Sequence, residues 1–177
     1  MLKEGRDMDR RQLAMLTSWA GDEGIRGRKR LQKIVYFLQA AGCRLNCDYT
    51  LHHFGPYSRD VADACDEMVA SRLLEERVEP NVVGTQYSYR LSPEAKRLLA
   101  ALSPDFDLQA FEDLAKRLFA TDLWQLELGS TIAFFQQQLG SWDEAMLKAC
   151  EFKKVSPEAP SSRSALTLAR GIVKAGT

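Results

Sequence analysis

The chain has 177 residues, and its 45% hydrophobic content is enough to fill the core of one ordinary domain. Its 24 Lys and Arg residues are balanced by 24 Asp and Glu residues, which excludes the overall basic excess that many nucleic-acid-binding proteins carry. The first residues lack the apolar segment of a signal peptide, and no run approaches the ~18 apolar residues that a membrane-spanning helix needs. We therefore expect a cytoplasmic protein with no membrane segment, in which any nucleic-acid site is a local patch.

Two helices are predicted before the first sharp turn of the chain. The first is expected over residues 7–20, with Asp7 or Asp9 as its N-cap and Gly21 at its end. The second follows a charged connector and ends at Gly42, where a residue without a Cβ can cap a helix. Its apolar side chains recur at helical spacing and are Leu31, Ile34, Val35 and Leu38.

A third helix is predicted after the turn at Gly55-Pro56. An apolar and aromatic run over residues 49–54 precedes the turn, and Ser58 stands where an N-cap residue belongs. The apolar side of this third helix carries Val61, Cys65, Met68 and Val69.

Two strand-like runs follow, over residues 73–78 and 86–91. They are joined by a turn-prone segment over residues 80–84, which predicts a β-hairpin. Helices followed by a hairpin are the outline of a winged helix-turn-helix. We predict a fold that is mainly α with this small β-hairpin.

Four segments of the sequence resemble a known group of proteins. They are RLQKIVYFL at residues 30–38, FGPYS at 54–58, LLEE at 73–76 and LELGSTI at 126–132. Together they resemble uncharacterised prokaryotic winged-helix proteins of the YwgA type, over most of the chain. The second helix with its following Gly-Pro is more distantly similar to the Panacea antitoxin domain, whose members neutralise partner toxins. That family usually has a Trp-rich segment before the Gly-Pro, and this chain lacks it. Neither resemblance implies catalytic residues.

Beyond the hairpin the sequence predicts only helices. A helix opens at Ser92 and ends near Leu102, and Ser103-Pro104 then marks a boundary. We predict a winged-helix domain over residues 1–102 and a C-terminal helical bundle over residues 103–177. The bundle helices are expected at residues 111–118, 122–139, 141–152 and 165–174, the last after a loop around Pro157 and Pro160.

The predicted helix at residues 122–139 is apolar over a wide arc. A helix of this kind is buried, either in the monomer or in the interface of a homodimer. Gly129 in its middle would let another helix approach closely.

Five cations and no anion occur between Arg26 and Lys33. Cations in the first turn of a helix oppose its dipole at a cost of ~0.3–1 kcal/mol each when exposed, which suggests a use such as contact with phosphates or with an acidic protein. A solvated helix start that pairs with Asp22 and Glu23 is the alternative. With the start of the third helix and the hairpin included, the predicted nucleic-acid-binding residues are Arg26, Arg28, Lys29, Arg30, Lys33, Tyr57, Ser58, Arg59 and Arg90.

The third helix, which enters the DNA major groove in most winged helices, is acidic in this sequence. Residues 58–79 contain three cations and seven anions, which is a local charge of −4. Most of this surface would repel phosphates, so it is expected either to meet a protein partner or a second copy of the chain, or simply to be solvated. The candidate partner-binding residues are Asp60, Asp63 and Glu67.

The sequence contains no assembled catalytic or cofactor motif. It has no phosphate-binding loop, no dinucleotide fingerprint, no zinc-protease motif and no nucleophile elbow, so we expect a non-enzymatic protein without a cofactor. Cys43 and Cys47 followed by His52 and His53 could offer zinc ligands, although their spacing is not that of the common structural sites. Whether Cys43, Cys47 and His53 bind a metal stays open.

Two functions fit these observations. The first is a transcriptional regulator that binds double-stranded DNA through the basic cluster and dimerises through its C-terminal helices. The second is a protein-interaction module, such as an antitoxin-like component. The cations at a helix start favour the first function, and the neutral net charge and acidic third helix favour the second. Sequence reasoning alone ranks DNA binding narrowly first.

Overall fold

The computed structural model describes residues 8–173 and is mainly helical with a small antiparallel sheet, which confirms that part of the prediction. The N-terminal elements are α1 Arg10–Trp19, β1 Ile25–Arg26, α2 Arg28–Ala40, β2 Thr50–His52, β3 Gly55–Tyr57, α3 Arg59–Ala70, β4 Leu74–Asn81 and β5 Gly84–Leu91. The remaining elements are α4 Pro93–Ala101, α5 Phe106–Gln109, α6 Glu112–Phe119, α7 Leu123–Leu139, α8 Trp142–Lys153 and α9 Pro160–Ile172.

Three strands form one antiparallel sheet in the order β1-β5-β4. Tyr89 on the central strand lies opposite Ile25 on one side and Glu76 on the other. The short strand β1 was not predicted, because its two residues lie inside a connector that reads as charged and glycine-rich. A separate hairpin joins β2 to β3, with Leu51 opposite Pro56. This β2–β3 hairpin lies between α2 and α3 in the chain.

The helix ends follow local sequence chemistry in most places. The carboxylate of Asp9 accepts a hydrogen bond from the Arg11 N–H and caps α1, while Asp7 lies outside the described residues. Ser92 caps α4 in the predicted way, with Pro93 next to it. The last helix was predicted, but its start was wrong: α9 begins at Pro160, which occupies the first helical position that proline tolerates best. The predicted end of that helix at Lys174 lies outside the described residues.

The C-terminal helices pack directly on the N-terminal elements. One apolar core cluster includes Leu31 and Phe37 of α2, Leu118 of α6 and Leu126 of α7, and a second lies between α7, α8 and α9. The apolar arc of α7 is covered within this chain by α2, α8, α9 and β3. The predicted close approach at Gly129 is confirmed, because a Cβ there would lie 3.1 Å from the Ala165 carbonyl oxygen of α9.

Within residues 8–173, none of the helices combines the length and the apolar composition needed to cross a membrane.

Candidate functional site

The start of α2 is joined to the turn before α3 by its polar side chains. Gln32 is buried, and its amide nitrogen donates to the Ser58 carbonyl oxygen at 2.8 Å while its amide oxygen accepts from the Ser58 N–H at 2.8 Å. The neighbouring Lys33 is also buried, and its ammonium donates to the Pro56 carbonyl oxygen at 2.6 Å. Two adjacent residues of α2 therefore fix the backbone of the Gly-Pro-Tyr-Ser segment.

Helix α7 holds the other side of the same turn. Gly55 has a backbone φ of +98°, and a Cβ at this position would lie 2.6 Å from Thr131 Oγ1 and 3.3 Å from the Glu127 carbonyl oxygen. Only glycine combines this conformation with this close approach. The turn is thus enclosed between α2 and α7.

A buried ionic cluster lies beside this turn. The carboxylate of Glu127 is 3.3 Å from the ammonium of Lys153, and their side chains are 9% and 7% exposed. Lys153 also donates to the His53 carbonyl oxygen at 3.1 Å. Burial lowers the pKa of Lys33 to about 8, since the attraction of Glu127 only partly offsets desolvation and the repulsion from Lys153. The cluster therefore joins α2, the β2–β3 hairpin, α7 and α8.

A cavity of about 340 Å³ lies between α2, the β2–β3 hairpin and α3. Its wall is mainly apolar and includes Leu31 of α2, Phe54 of the hairpin turn and Val61 and Ala62 of α3. His52 and Tyr57, which also line it, stack on each other with ring centroids 4.4 Å apart. Its volume is at the small end of the range of ligand pockets, and its three walls are separate elements of the fold.

The charged groups that line this cavity are all cationic. They are Arg28, Lys29 and Lys33. Lys29 is exposed, its ammonium lies 3.2 Å from the centroid of the Phe54 ring, and among the described residues it forms no ion pair with a carboxylate. Lys29 is therefore the lining cation whose charge is least balanced by the protein itself.

Most of the predicted basic cluster is used within the protein. Arg26 pairs with Glu23. Arg28 donates to Tyr89 Oη at 2.6 Å and lies 2.8 Å from Asp66 and 3.1 Å from Glu76. Partial burial alone would lower the pKa of Arg28, but its hydrogen bonds to Tyr89 and Glu76 outweigh that effect and raise it.

Two of the remaining three members of the cluster are also engaged. Arg30 is half-buried and donates to the Phe119 and Thr121 carbonyl oxygens at 3.2 and 2.5 Å, where it satisfies the C-terminal end of α6. Lys33 is only 2% exposed, so its ammonium is not available to a phosphate in this structure. Lys29 is the cluster member for which no such partner is found among residues 8–173.

The predicted nucleic-acid contacts outside the cluster do not form one surface. Ser58 occupies the predicted N-cap position of α3, but it is fully buried and its hydroxyl does not cap the helix. Tyr57 is half-buried against His52, and Arg59 is 86% exposed. Arg90 lies apart from them, in a cavity between α1, β5 and α4 that is lined by Thr17 and Leu99.

The outer face of α3 is acidic, as predicted, although its carboxylates differ in accessibility. Asp63 is exposed and lies 3.6 Å from Arg59, and Glu67 is exposed and accepts from Arg10 at 2.7 Å. Asp60 is half-buried and accepts a hydrogen bond from the Asp48 N–H at 2.8 Å, so it supports the start of α3.

The β4–β5 hairpin continues this surface with an apolar tip. Val82 and Val83 are 105% and 94% exposed, and Val78 and Tyr87 are also exposed on the strands. Among the residues of α3, β4 and β5 that are exposed, cations are fewer than anions. The exposed cations are Arg59 and Arg77, and the exposed anions are Asp63, Asp66, Glu67, Glu75 and Glu79.

The cysteines and histidines that sequence reasoning left open as metal ligands are in different environments. The thiols of Cys43 and Cys47 are buried, and desolvation raises their pKa values to about 11 and about 12. His53 is exposed in the β2–β3 turn. In the part of the chain that the structure describes, no group of three or more His, Cys, Asp or Glu side chains could hold a metal ion.

The sequence did not predict the cavity. It also did not predict the clamp around the Gly-Pro turn, which is formed by Gln32 and Lys33 of α2 on one side and by α7 on the other. The signal for the clamp was available, because Gln32 and Lys33 are two polar residues inside an otherwise apolar stretch of α2. No local signal pointed to Glu127 and Lys153, which reach the turn from a distant part of the chain.

Comparison with known proteins shows a similarity to a protein whose function is not described. No known family model matches the chain. The chain is similar to the uncharacterized protein YwgA of Bacillus subtilis (strain 168), with 29% identity over 123 residues that cover 69% of this chain and 73% of YwgA. This similarity agrees with the predicted resemblance to YwgA-type proteins. The more distant likeness to the Panacea antitoxin domain stays a prediction.

Proposed function

We propose that this is a non-enzymatic winged-helix protein that binds a partner protein through α3 and the β4–β5 hairpin. The element order α1, β1, α2, α3, β4, β5, with the β2–β3 hairpin inserted between α2 and α3, and the sheet order β1-β5-β4 support the winged-helix assignment. In that assignment β4–β5 is the wing and α3 is the helix that most winged helices present to their target.

The observation that carries this proposal is the contrast between two charged regions. At the start of α2 the protein's own groups engage four of the five cations, whereas on α3 and the wing five exposed carboxylates outnumber two exposed cations, even though Asp63, Asp66, Glu67 and Glu75 each lie near an arginine. An acidic surface repels the DNA backbone, but it steers a basic protein surface into contact. The exposed valines at the wing tip add the apolar contact that protein interfaces place among their charges.

Site-specific photo-crosslinking tests this proposal. A photoreactive amino acid at Val82 would be expressed in the native cells, the crosslinked protein identified, and its affinity for the unmodified chain measured by calorimetry. We expect Asp63→Lys combined with Glu75→Lys to weaken the complex at least about tenfold, because both carboxylates are exposed on the proposed surface.

The matched control has the same change in charge on another face. Glu94→Lys combined with Glu151→Lys alters exposed carboxylates of α4 and α8, and we expect it to leave the affinity unchanged. A complex that responds equally to both pairs, or a Val82 probe that captures no protein able to bind the purified chain, would argue against the proposal.

DNA binding is the second candidate, and the exposure of Arg59 favours it. Arg59 begins α3, and Lys29 at the start of α2 is also exposed. These two cations could contact a phosphate backbone without disturbing the pairs that Arg28 and Arg30 make.

A salt titration against DNA separates the two candidates. Duplexes from the protein's own locus would be tested by fluorescence anisotropy, with Lys29→Glu plus Arg59→Glu as the test variant and Lys148→Glu plus Arg163→Glu as the control. DNA binding requires an affinity that falls log-linearly with salt and that the test variant alone loses. Absence of binding at low salt by the folded protein would remove this candidate.

A further inference from the structure

The cavity between α2, the β2–β3 hairpin and α3 combines an apolar wall with cationic lining groups. Leu31, Phe54, Val61 and Ala62 supply apolar surface, and none of the residues that line the cavity is acidic. We propose that this cavity binds a small carboxylate with a compact apolar body, and that Lys29 holds the carboxylate group. The proposal goes beyond the partner-binding function and does not depend on it.

The charges around the cavity indicate one anionic group. Arg28 is balanced by Asp66 and Glu76, and buried Lys33 donates to the Pro56 carbonyl oxygen near Glu127. Lys29 has no carboxylate partner among residues 8–173, and its ammonium lies over the face of Phe54. One uncompensated ammonium beside an apolar cavity matches a single negative charge on the ligand.

The shape of the cavity limits the rest of the ligand. About 340 Å³ is near the lower limit for pockets that hold small molecules, and the aromatic side chains of His52, Phe54 and Tyr57 supply part of the wall. A single aromatic ring or a short branched aliphatic chain fits this description better than a nucleotide or a long lipid.

Two helices, α2 and α3, line the cavity, so a bound ligand would touch both of them. Leu31 lies on α2, whereas Val61 and Ala62 lie on α3. A molecule that binds only the folded chain stabilises it by mass action. Binding should therefore raise the melting temperature, in addition to producing a binding enthalpy that calorimetry measures.

Benzoate and 4-methylpentanoate are suitable probes, with benzamide and acetate as comparisons. Benzamide keeps the apolar ring without the charge, and acetate keeps the charge without the body. We expect saturable binding of at least one of the two larger acids by calorimetry, with methyl NMR shifts at Leu31 and Val61. Benzamide and acetate should each bind at least about tenfold more weakly, because each lacks one of the two interactions.

Three variants locate the site. Lys29→Gln should lower the affinity for the acid at least about tenfold and leave the affinity for benzamide unchanged. Ala62→Phe should fill the cavity and lower both affinities. Lys148→Gln is the control, because Lys148 is also exposed above a phenylalanine ring, Phe135, but does not line this cavity. It should behave as the wild type.

Several results would overturn the proposal. One is that neither larger acid binds saturably to the folded protein. Another is that the methyl shifts appear at Leu168, which lines a different cavity between α6, α7 and α9, instead of at Leu31 and Val61. A third is that Lys29→Gln binds the acid as tightly as Lys148→Gln. If Ala62→Phe does not fold, the Lys29→Gln comparison and the NMR shifts still decide the question.

Discussion

The side-chain amide of Gln32 pairs with both backbone polar groups of Ser58, with two hydrogen bonds of 2.8 Å. The glutamine side chain thus donates one hydrogen bond to the backbone of Ser58 and accepts another from it, as the backbone of a neighbouring β-strand would. Gln39, seven residues further along α2, forms the same pair of bonds with Cys47 at 2.9 and 2.8 Å. The helix therefore organises two separate segments of irregular chain.

Replacement of Gln32 by Met should be strongly destabilising. The change keeps the approximate size of the side chain but leaves the buried N–H of Ser58 without a partner and its carbonyl with only the hydrogen bond from the Ala62 N–H, at a cost of about 1–3 kcal/mol. Urea unfolding followed by circular dichroism measures this cost. Gln138→Met on the exposed face of α7 should change the free energy of unfolding by less than about 0.5 kcal/mol. Equal effects of the two substitutions would contradict the role of Gln32.

Gly55→Ala should lower the free energy of unfolding by more than the unfavourable backbone conformation alone explains. A left-handed conformation costs a residue with a Cβ about 1–2 kcal/mol, and at Gly55 the new methyl group would also clash with Thr131. Gly140→Ala is the matched control, because Gly140 also has a positive φ, of +72°, but no heavy atom within 4 Å of its Cβ position. Thermal unfolding of the two variants should show the larger loss for Gly55→Ala, and the opposite order would exclude close packing of α7 on this turn.

The burial of Lys33 predicts a pH dependence of stability. The pKa of Lys33 is lowered to about 8 in the folded chain, so between pH 8 and its ordinary pKa near 10.5 the unfolded chain binds more protons. The free energy of unfolding should therefore rise across this window by at most ~1.4 kcal/mol per pH unit, while below pH 8 the cost of burying the charge is fully present.

Comparison with Lys33→Met isolates this effect from other groups. The raised pKa values of Cys43 and Cys47 act in the opposite direction above about pH 9, but both proteins share them. The difference in the free energy of unfolding, wild type minus variant, should increase from neutral pH to about pH 10. A difference that stays constant would show that Lys33 titrates normally, and a nitrogen NMR titration of its ammonium checks the pKa directly.

The Glu127–Lys153 pair should show strong coupling in a double-mutant cycle. Removal of one partner leaves the other charge buried, which typically costs about 3–5 kcal/mol, whereas removal of both leaves no charge of this pair in the interior. Glu127→Gln and Lys153→Met should therefore each destabilise the protein, and the double variant should lose much less than their sum. The solvent-facing pair Glu112–Lys116 on one face of α6 should give a much smaller coupling. Similar coupling in the two cycles would mean that the buried pair is accessible to water.

Adjacent cations at the start of α2 should respond differently to substitution. Arg30→Met removes two hydrogen bonds to the carbonyl oxygens at the end of α6 and should cost about 1–2 kcal/mol. Lys29→Met removes an exposed charge and should change stability by less than about 0.5 kcal/mol. Melting temperatures of the two variants test whether the basic cluster is mainly structural, and a larger loss for Lys29→Met would reverse that conclusion.

Local patterns in the sequence were enough to predict most of the helices. The spacing of Leu31, Ile34 and Leu38 identified α2, and Ser92 and Pro93 identified the start of α4. These signals act within a few residues of the chain, so they do not depend on the tertiary structure. The four-residue helix α5 and the two-residue strand β1 were missed, because elements this short have no periodicity to detect.

The roles of the charged residues could not be predicted in the same way. Arg28 pairs with Glu76, 48 residues away, and Arg30 reaches the Thr121 carbonyl oxygen, 91 residues away. A lysine is rarely buried, so Lys33 was expected on the surface, and only the approach of the Gly-Pro turn and α7 explains its position. Sequence reasoning interpreted the cations as a surface because their partners come from distant parts of the chain.

The packing of α7 on the β2–β3 hairpin limits how this protein can be dissected. A fragment that ends at residue 102 would lack the helix that covers Gly55 and would expose the apolar side chains of α2 that face Leu118 and Leu126. Such a fragment would aggregate or adhere to unrelated proteins, since large exposed apolar patches promote both. Libraries and two-hybrid baits built from residues 1–102 alone would therefore return false partners, and a reliable bait has to keep α6 and α7.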